Sequence, residues 1–263
     1  MVNTPSSKNA PPRSACAERT LPLHSGVRQH CDAMTDYLFA PLTPAYLPIH
    51  GDARLFPVHR IYCVGRNFAE HAKEMGAEVS RGTPVFFMKP ADAVVAPGGR
   101  IPYPTQTHDL HHEVELVVAL GSDADGVVSI GQAQALIFGI GVGLDLTRRD
   151  LQAVAKEKRL PWDTAKGFDY SAPVSALMAG ANLGDIGKHR LWLEVNGELR
   201  QQAPLSEMVF SVEEILHELS KLYALKAGDL IFMGTPAGVA ALESGDRFRA
   251  GIDGVIEFSG QIQ

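Results

Sequence analysis

Cysteine is scarce: three in 263 residues (Cys16, Cys31, Cys63), scattered and without a C-x-x-C pair. That excludes a disulfide framework and a thiolate metal cluster, and it points to a reducing compartment, the cytoplasm. No stretch approaches the ~18 apolar residues of a membrane-spanning helix, so no membrane partner is expected. Basic residues never run beyond two in a row and the net charge is −6, so the electrostatic footprint of nucleic-acid binding is missing. Internal repeats are absent, as is the apolar segment that a secretory signal needs.

What is there suits one globular domain: 45% hydrophobic and 21% charged residues. The first 33 residues, rich in Pro, Ser, Ala and Arg, have no periodic apolar face. They are expected to form a disordered extension ahead of a single domain over 34–263. Arg13, Arg19 and Arg28 would suit a mitochondrial presequence, but the prolines there spoil an amphipathic helix, and Met34 could be the true start.

From about residue 58 short strands and turns are dense. VHRIYCVGRNF reads as a strand and turn leading to a helix over 69–77, and PVFFMK as a strand stopped by Pro90. LWLEVNGELRQQ is a hairpin with Asn196-Gly197 as its type I′ turn. Ser211 and Glu214 form a capping box for a helix whose Val212, Ile215, Leu216, Leu219 and Leu222 share one face. Strands follow the Gly228-Asp229 turn and flank Asp253-Gly254. Many short strands with few helices predict an α+β, β-rich fold: a mixed, mostly antiparallel β-roll.

The chemistry concentrates in HHEVELVVALG. Side chains at i and i+2 of a strand share a face, so Glu113 and Glu115 should stand side by side next to an apolar run. Two like charges there repel and lose hydration, and a divalent cation would compensate. An edge strand with one wet face gives the same E-x-E pattern, so a third acid matters. Asp145 ends the Gly-rich strand FGIGVGL, where the chain leaves the sheet. Three oxygen donors favour Mg²⁺ or Mn²⁺, with Ca²⁺ possible. The nearby His108, His111 and His112 would suit Zn²⁺ or Fe²⁺ in a mixed site, although His112 should face away from Glu113.

IYCVGRNFAEHAKEMG, PVFFMKP, HHEVELVVALG, GLDLTRRDLQ, LPWDTAKGFD and GDLIFMGTPAGV stand in this order over 58–263. The string resembles the fumarylacetoacetate hydrolase family, nearest its acylpyruvate and fumarylpyruvate hydrolase branch. The resemblance implies a mixed β-roll, a homodimer, and a Mg²⁺ or Mn²⁺ ion on Glu113, Glu115 and Asp145. It implies that Lys166 lies near the substrate; by itself Lys166 could equally be packed by its stem beside Trp162 and Phe168. Arg149 and Gln152 fit the family's D-x-x-x-R-D-x-Q pattern, and would share a face with Asp145 if that segment were helical. Thr235 matches a loop that binds substrate oxygen, and Arg66 a position that meets the substrate carboxylate. His71 and Glu74 match a water-activating dyad, and Lys89 is as readily structural as catalytic.

The expected activity is hydrolysis of a 2,4-dioxo acid, fumarylpyruvate in first place, to pyruvate and a carboxylic acid in aromatic-compound catabolism. His71 would activate water, and the cation with Lys166 would hold the departing pyruvate enolate. Oxaloacetate decarboxylation or an isomerisation at the same site is the alternative; a non-enzymatic dicarboxylate binder is a remote one. For a second substrate carboxylate, Arg66, Lys158 and Arg159 are the available cations, and 75–82 and 153–163 the candidate lids.

Overall fold

The computed structural model describes residues 38–41, 43–74, 81–180 and 186–263. The chain divides into two compact units, Met1–Leu42 and Thr43–Gln263, and every element below belongs to the second. The extension expected over 1–33 lies outside the described residues, as does the end of the helix expected over 69–77, which is described as Ala69–Glu74.

Six strands form the main sheet, in the order Met178–Ala179, Ile137–Leu144, Val114–Leu120, Asp229–Phe232, Arg60–Gly65 and Val85–Lys89. Neighbours run antiparallel except Asp229–Phe232 beside Arg60–Gly65, which are parallel. The glutamate strand is therefore interior, and all seven of its residues are buried. Its alternation feeds two cores. Leu116, Val118 and Leu120 pack with Leu191, Leu193 and Ile215, while Val117 and Ala119 pack with Phe56, Leu177 and Phe232. A sheet buried on both faces explains the near-continuous apolar run.

A second, antiparallel sheet orders Glu198–Pro204, Arg190–Val195, Arg247–Ile252 and Ile256–Gln261. Its hairpin turns on Asn196 (φ 53°) and Gly197 (φ 81°), the two positive values a type I′ turn requires. Mixed sheets with few helices match the expected β-roll. No helix among the described residues is long and apolar enough to cross a membrane.

The helix Val212–Leu222 starts with the predicted capping box: Ser211 N donates to Glu214 and Glu214 N to the Ser211 hydroxyl. Val212, Ile215, Leu216 and Leu219 are buried as expected. Leu222 is not; it is 62% exposed. At about 100° per residue it lies some 60° round from Leu219, at the margin of the stripe and in the final turn.

A second difference concerns Asp145. It stands at the strand's end as expected, but the helix that follows begins only at Arg149, so Asp145 shares no helical face with Arg149 and Gln152. Between Asp145 and that helix Thr147–Arg148 forms a short strand with Leu110–His111, and Asp145 N donates to Glu113 O at 2.8 Å. These bonds keep the chain extended past Asp145.

Candidate metal centre and active-site cavity

The pairing register builds the site. Glu115 lies opposite Gly143 and Val114 opposite Leu144, so Glu113 and Asp145 meet where the two strands end. Gly143 permits this closeness: a Cβ there would meet the Phe232 ring at 2.8 Å and Val117 at 2.9 Å. Glu113, Glu115 and Asp145 are 5%, 2% and 0% exposed, which removes the wet-edge reading of E-x-E. One ligand oxygen from each lies within 4.8 Å of the other two. None of His108, His111 and His112 belongs to this group. His112 faces away, with Nδ1 2.8 Å from Gln201 Oε1, and His111 Nε2 lies 2.8 Å from Asp109.

Cations balance the acids unevenly. Lys166 Nζ donates to Glu113 Oε2 at 2.7 Å and to Asp145 Oδ2 at 2.6 Å. Arg149 Nη2 donates to Glu113 Oε1 at 2.5 Å. Burial opposes the charge on Glu113, but Lys166, Arg149 and His71 outweigh it and hold this carboxyl well below the usual range. Among the described residues Glu115 receives only a backbone donor, Gly234 N at 2.7 Å. Burial, then Asp145 and Glu113, push its carboxyl well above the usual range. Lys89 is buried, with Nζ 2.8 Å from Asp145 Oδ1, but its aligned bonds go to Leu146 O and Lys166 O. Asp145 Oδ1 is thus buried without an aligned hydrogen bond. An acid with no ion-pair partner among the described residues, and three hard donors within one ion's reach, fit a divalent metal.

A cavity of about 130 Å³ opens from these carboxylates. His71, Lys166, Arg149, Gln152, Thr235 and Arg66 all line it, so every expected site residue but Glu74 borders this space. Glu74 stands behind His71, with Oε2 3.4 Å from His71 Nδ1, and accepts Gly238 N at 3.2 Å. Burial pulls the His71 pKa down, against the opposite pull of Glu113 and Glu74, so its imidazole is neutral near pH 7. Gln152 Oε1 accepts from Arg149 Nη1 at 2.6 Å. Arg66 sits at φ +62°, a left-handed conformation uncommon outside glycine, in the turn after Arg60–Gly65.

Asn67 fixes that turn, and sequence reasoning missed it. Its amide donates to Met233 O at 2.8 Å and accepts Phe210 N at 2.8 Å, bonds whose partners lie more than 140 residues away. Lys156 and Trp162, from the expected 153–163 segment, line the cavity without having been singled out as site residues, Phe87 was missed, and most of the 75–82 segment lies outside the described residues. Lys158 and Arg159 do not line the cavity. Helix geometry explains the correction: Arg149, Gln152 and Lys156 recur at i, i+3 and i+7 on the cavity face of Arg149–Lys158, whereas Lys158 turns away and Arg159 caps the end at φ +56°.

A strand-rich fold that closes a small cavity over three buried acids and a lysine defines an enzyme built for small-molecule chemistry at a hard cation. Comparison with known proteins agrees and goes further. The family description "Fumarylacetoacetate (FAA) hydrolase C-terminal" matches residues 60–263. The chain belongs to the fumarylacetoacetate hydrolase family. It is similar to the crystal structure of fumarylpyruvate hydrolase from Pseudomonas aeruginosa in complex with Mn²⁺ and pyruvate. The two are 45% identical, superpose with a TM-score of 0.81, and share 86% of this chain and 99% of that one. It is also similar to the mitochondrial oxaloacetate tautomerase FAHD1 of Rattus norvegicus, 44% identical over 203 residues, 77% of this chain and 91% of that protein. The mitochondrial oxaloacetate decarboxylase of Dictyostelium discoideum is 36% identical over 197 residues, 74% of this chain and 89% of that protein.

Proposed function

We propose that this protein is a metal-dependent hydrolase of 2,4-dioxo acids, with fumarylpyruvate as the leading substrate and pyruvate and fumarate as products. The observation that carries this reading is that His71, backed by Glu74, lines the same cavity as the three carboxylates. Glu113, Glu115 and Asp145 would hold Mg²⁺ or Mn²⁺, with Ca²⁺ a third hard cation these oxygens accept. Bound there, such an ion supplies positive charge for the carboxylate and 2-oxo oxygens of the acid and for the electrons released on cleavage. The Mn²⁺ and pyruvate of the similar Pseudomonas aeruginosa structure support this assignment.

The remaining work falls to side chains. His71 takes a proton from a water aimed at the C4 carbonyl, and the water oxygen bonds to C4. Lys166 Nζ and the Gln152 amide, both of residues that line the cavity, would donate to the oxyanion that forms. The C3–C4 bond then breaks, its electron pair leaves with the pyruvate half as an enolate, and protonated His71 returns the proton to C3. Arg149 is committed to His111 Nδ1, Gln152 and Glu113, so it serves the substrate by holding those groups.

Fumarylpyruvate carries a second carboxylate, and Arg66 and Lys156 offer cations where the cavity opens. No ion pair with a carboxylate engages either of them among the described residues. The proposal extends to a place in aromatic-compound catabolism, to a homodimer, and to a reducing cytoplasm in which the buried free thiol of Cys63 stays reduced.

Oxaloacetate decarboxylation or tautomerisation is the second reading. The names of the rat and Dictyostelium relatives favour it, as does the long 3.4 Å contact within the dyad. Purified protein with Mn²⁺ would be offered fumarylpyruvate, acetylpyruvate and oxaloacetate. Fumarate plus pyruvate from the first is expected. Conversion of oxaloacetate alone, with neither acylpyruvate cleaved, would replace hydrolysis by the second reading.

A further inference from the structure

Gln201 lies far from the acids in sequence, on the strand Glu198–Pro204, and is 1% exposed. Its side chain meets four groups. Val114 N donates to Oε1 at 3.1 Å, and Nε2 donates to Pro236 O at 2.9 Å. A main-chain N–H can only donate and a carbonyl can only accept, so these two contacts fix which end of the amide is which. Two consequences follow. Oε1 must accept from His112 Nδ1 at 2.8 Å, and Nε2 must donate to Thr235 Oγ1 at 2.8 Å.

The second consequence reaches the cavity. A threonine hydroxyl has one proton and can donate it once. Thr235 already accepts from Gln201, and none of the hydrogen bonds of the described residues uses its proton. Thr235 is 3% exposed and lines the cavity beside Glu115 and Asp145. That proton is left for a ligand.

We propose that Gln201 is a positioning residue that makes Thr235 a dedicated hydrogen-bond donor to a carboxylate or keto oxygen of the bound acid. The same amide joins the loop Thr235–Pro236 to the start of the glutamate strand at Val114, so the donor and the metal-binding acids are set by one side chain. Substrates with an oxygen acceptor at this point are favoured, and an ammonium group in its place, which can only donate, meets a proton facing a proton. This inference rests on the 2-oxo-acid reading above.

The test is a double-mutant cycle on the full-length protein with Mn²⁺, read as pyruvate affinity and as kcat/KM on the acid that the wild type turns over. Gln201→Glu keeps an acceptor for Val114 and His112 while removing the amide donors. Thr235→Val removes the hydroxyl. Each should weaken binding and raise KM by about tenfold or more, the size of one hydrogen bond to a charged group, with kcat less affected. The double variant should lose no more than the worse single one, because both changes remove the same contact. Losses that multiply would show that Gln201 acts apart from Thr235 and would overturn the proposal. So would either single variant staying within threefold of wild type. Melting curves check folding; if Gln201→Glu fails to fold, Gln201→Met takes its place in the cycle, and Thr235→Val alone still decides whether the donor exists. A wild type that neither binds pyruvate nor cleaves any of the three acids rejects the functional reading and this inference with it. A wild type that does either, with an additive cycle, rejects only this inference.

Discussion

The cavity has two walls of different build. On the sheet wall Glu113, Glu115 and Asp145 stand at the ends of interior strands and are at most 5% exposed. On the helical wall His71 and Glu74 sit on the six-residue helix Ala69–Glu74, the Glu74 side chain is 38% exposed, and one 3.4 Å contact joins the pair. Charges on the first wall are desolvated, and Glu113 and Asp145 are balanced by Lys166, Arg149 and Lys89; removing one leaves its partners uncompensated, at about 3–5 kcal/mol. The second pair, a buried His71 and a partly exposed Glu74 at one long contact, contributes about 0–1 kcal/mol. Under the proposed function, ion binding falls to the wall where misplacement is costly, and proton transfer to the wall that can vary without unfolding the protein.

The largest test of that contrast is Asp145→Ala. It strands Lys166 and Lys89, so denaturant unfolding should show about 3–5 kcal/mol of lost stability. Calorimetry should find Mn²⁺ binding gone and turnover at background. Retained Mn²⁺ affinity would detach the ion from the sheet wall.

His71→Ala should do the reverse: Mn²⁺ binding and stability persist while hydrolysis falls by about 10²–10⁴. The pH profile sharpens this. Burial, opposed in part by Glu113 and Glu74, places the His71 pKa below the usual value. A base must be neutral to act, so kcat/KM should rise with pH on the acid side of the usual histidine range and be level at neutral pH. That acid limb should vanish in His71→Ala; a limb that persists belongs to another group.

Lys156→Gln is the mildest change. It should lower the ratio of kcat/KM for fumarylpyruvate over acetylpyruvate by about two- to fivefold, as suits a cation half in water. An unchanged ratio would place the second carboxylate elsewhere.

Much of this was legible because the determinants are local. Alternation put Glu113 and Glu115 on one face, Asn196-Gly197 specified its turn, and Ser211 with Glu214 capped a helix, each through neighbours within a few residues. Lys156 could have been found the same way, at i+7 from Arg149, once the helix start was known. The helix start was hidden because Thr147–Arg148 is held extended by Leu110–His111, a partner almost forty residues upstream. Asn67 and Gln201 carried no local signal at all. Their partners lie 166 and 34 residues away, and an asparagine or glutamine alone says nothing of where its amide ends.

By itself the sequence determined the fold class, the identity of the three acids and the family, since side-chain periodicity, turn chemistry and motif order are properties of the chain as written. Only the tertiary structure decided which cations answer those acids, that Glu115 has no ion-pair partner among the described residues, and that the Thr235 proton is unused there. The reason is physical: charge balance and hydrogen-bond direction depend on which groups share a desolvated space, and that space exists only once distant strands have paired.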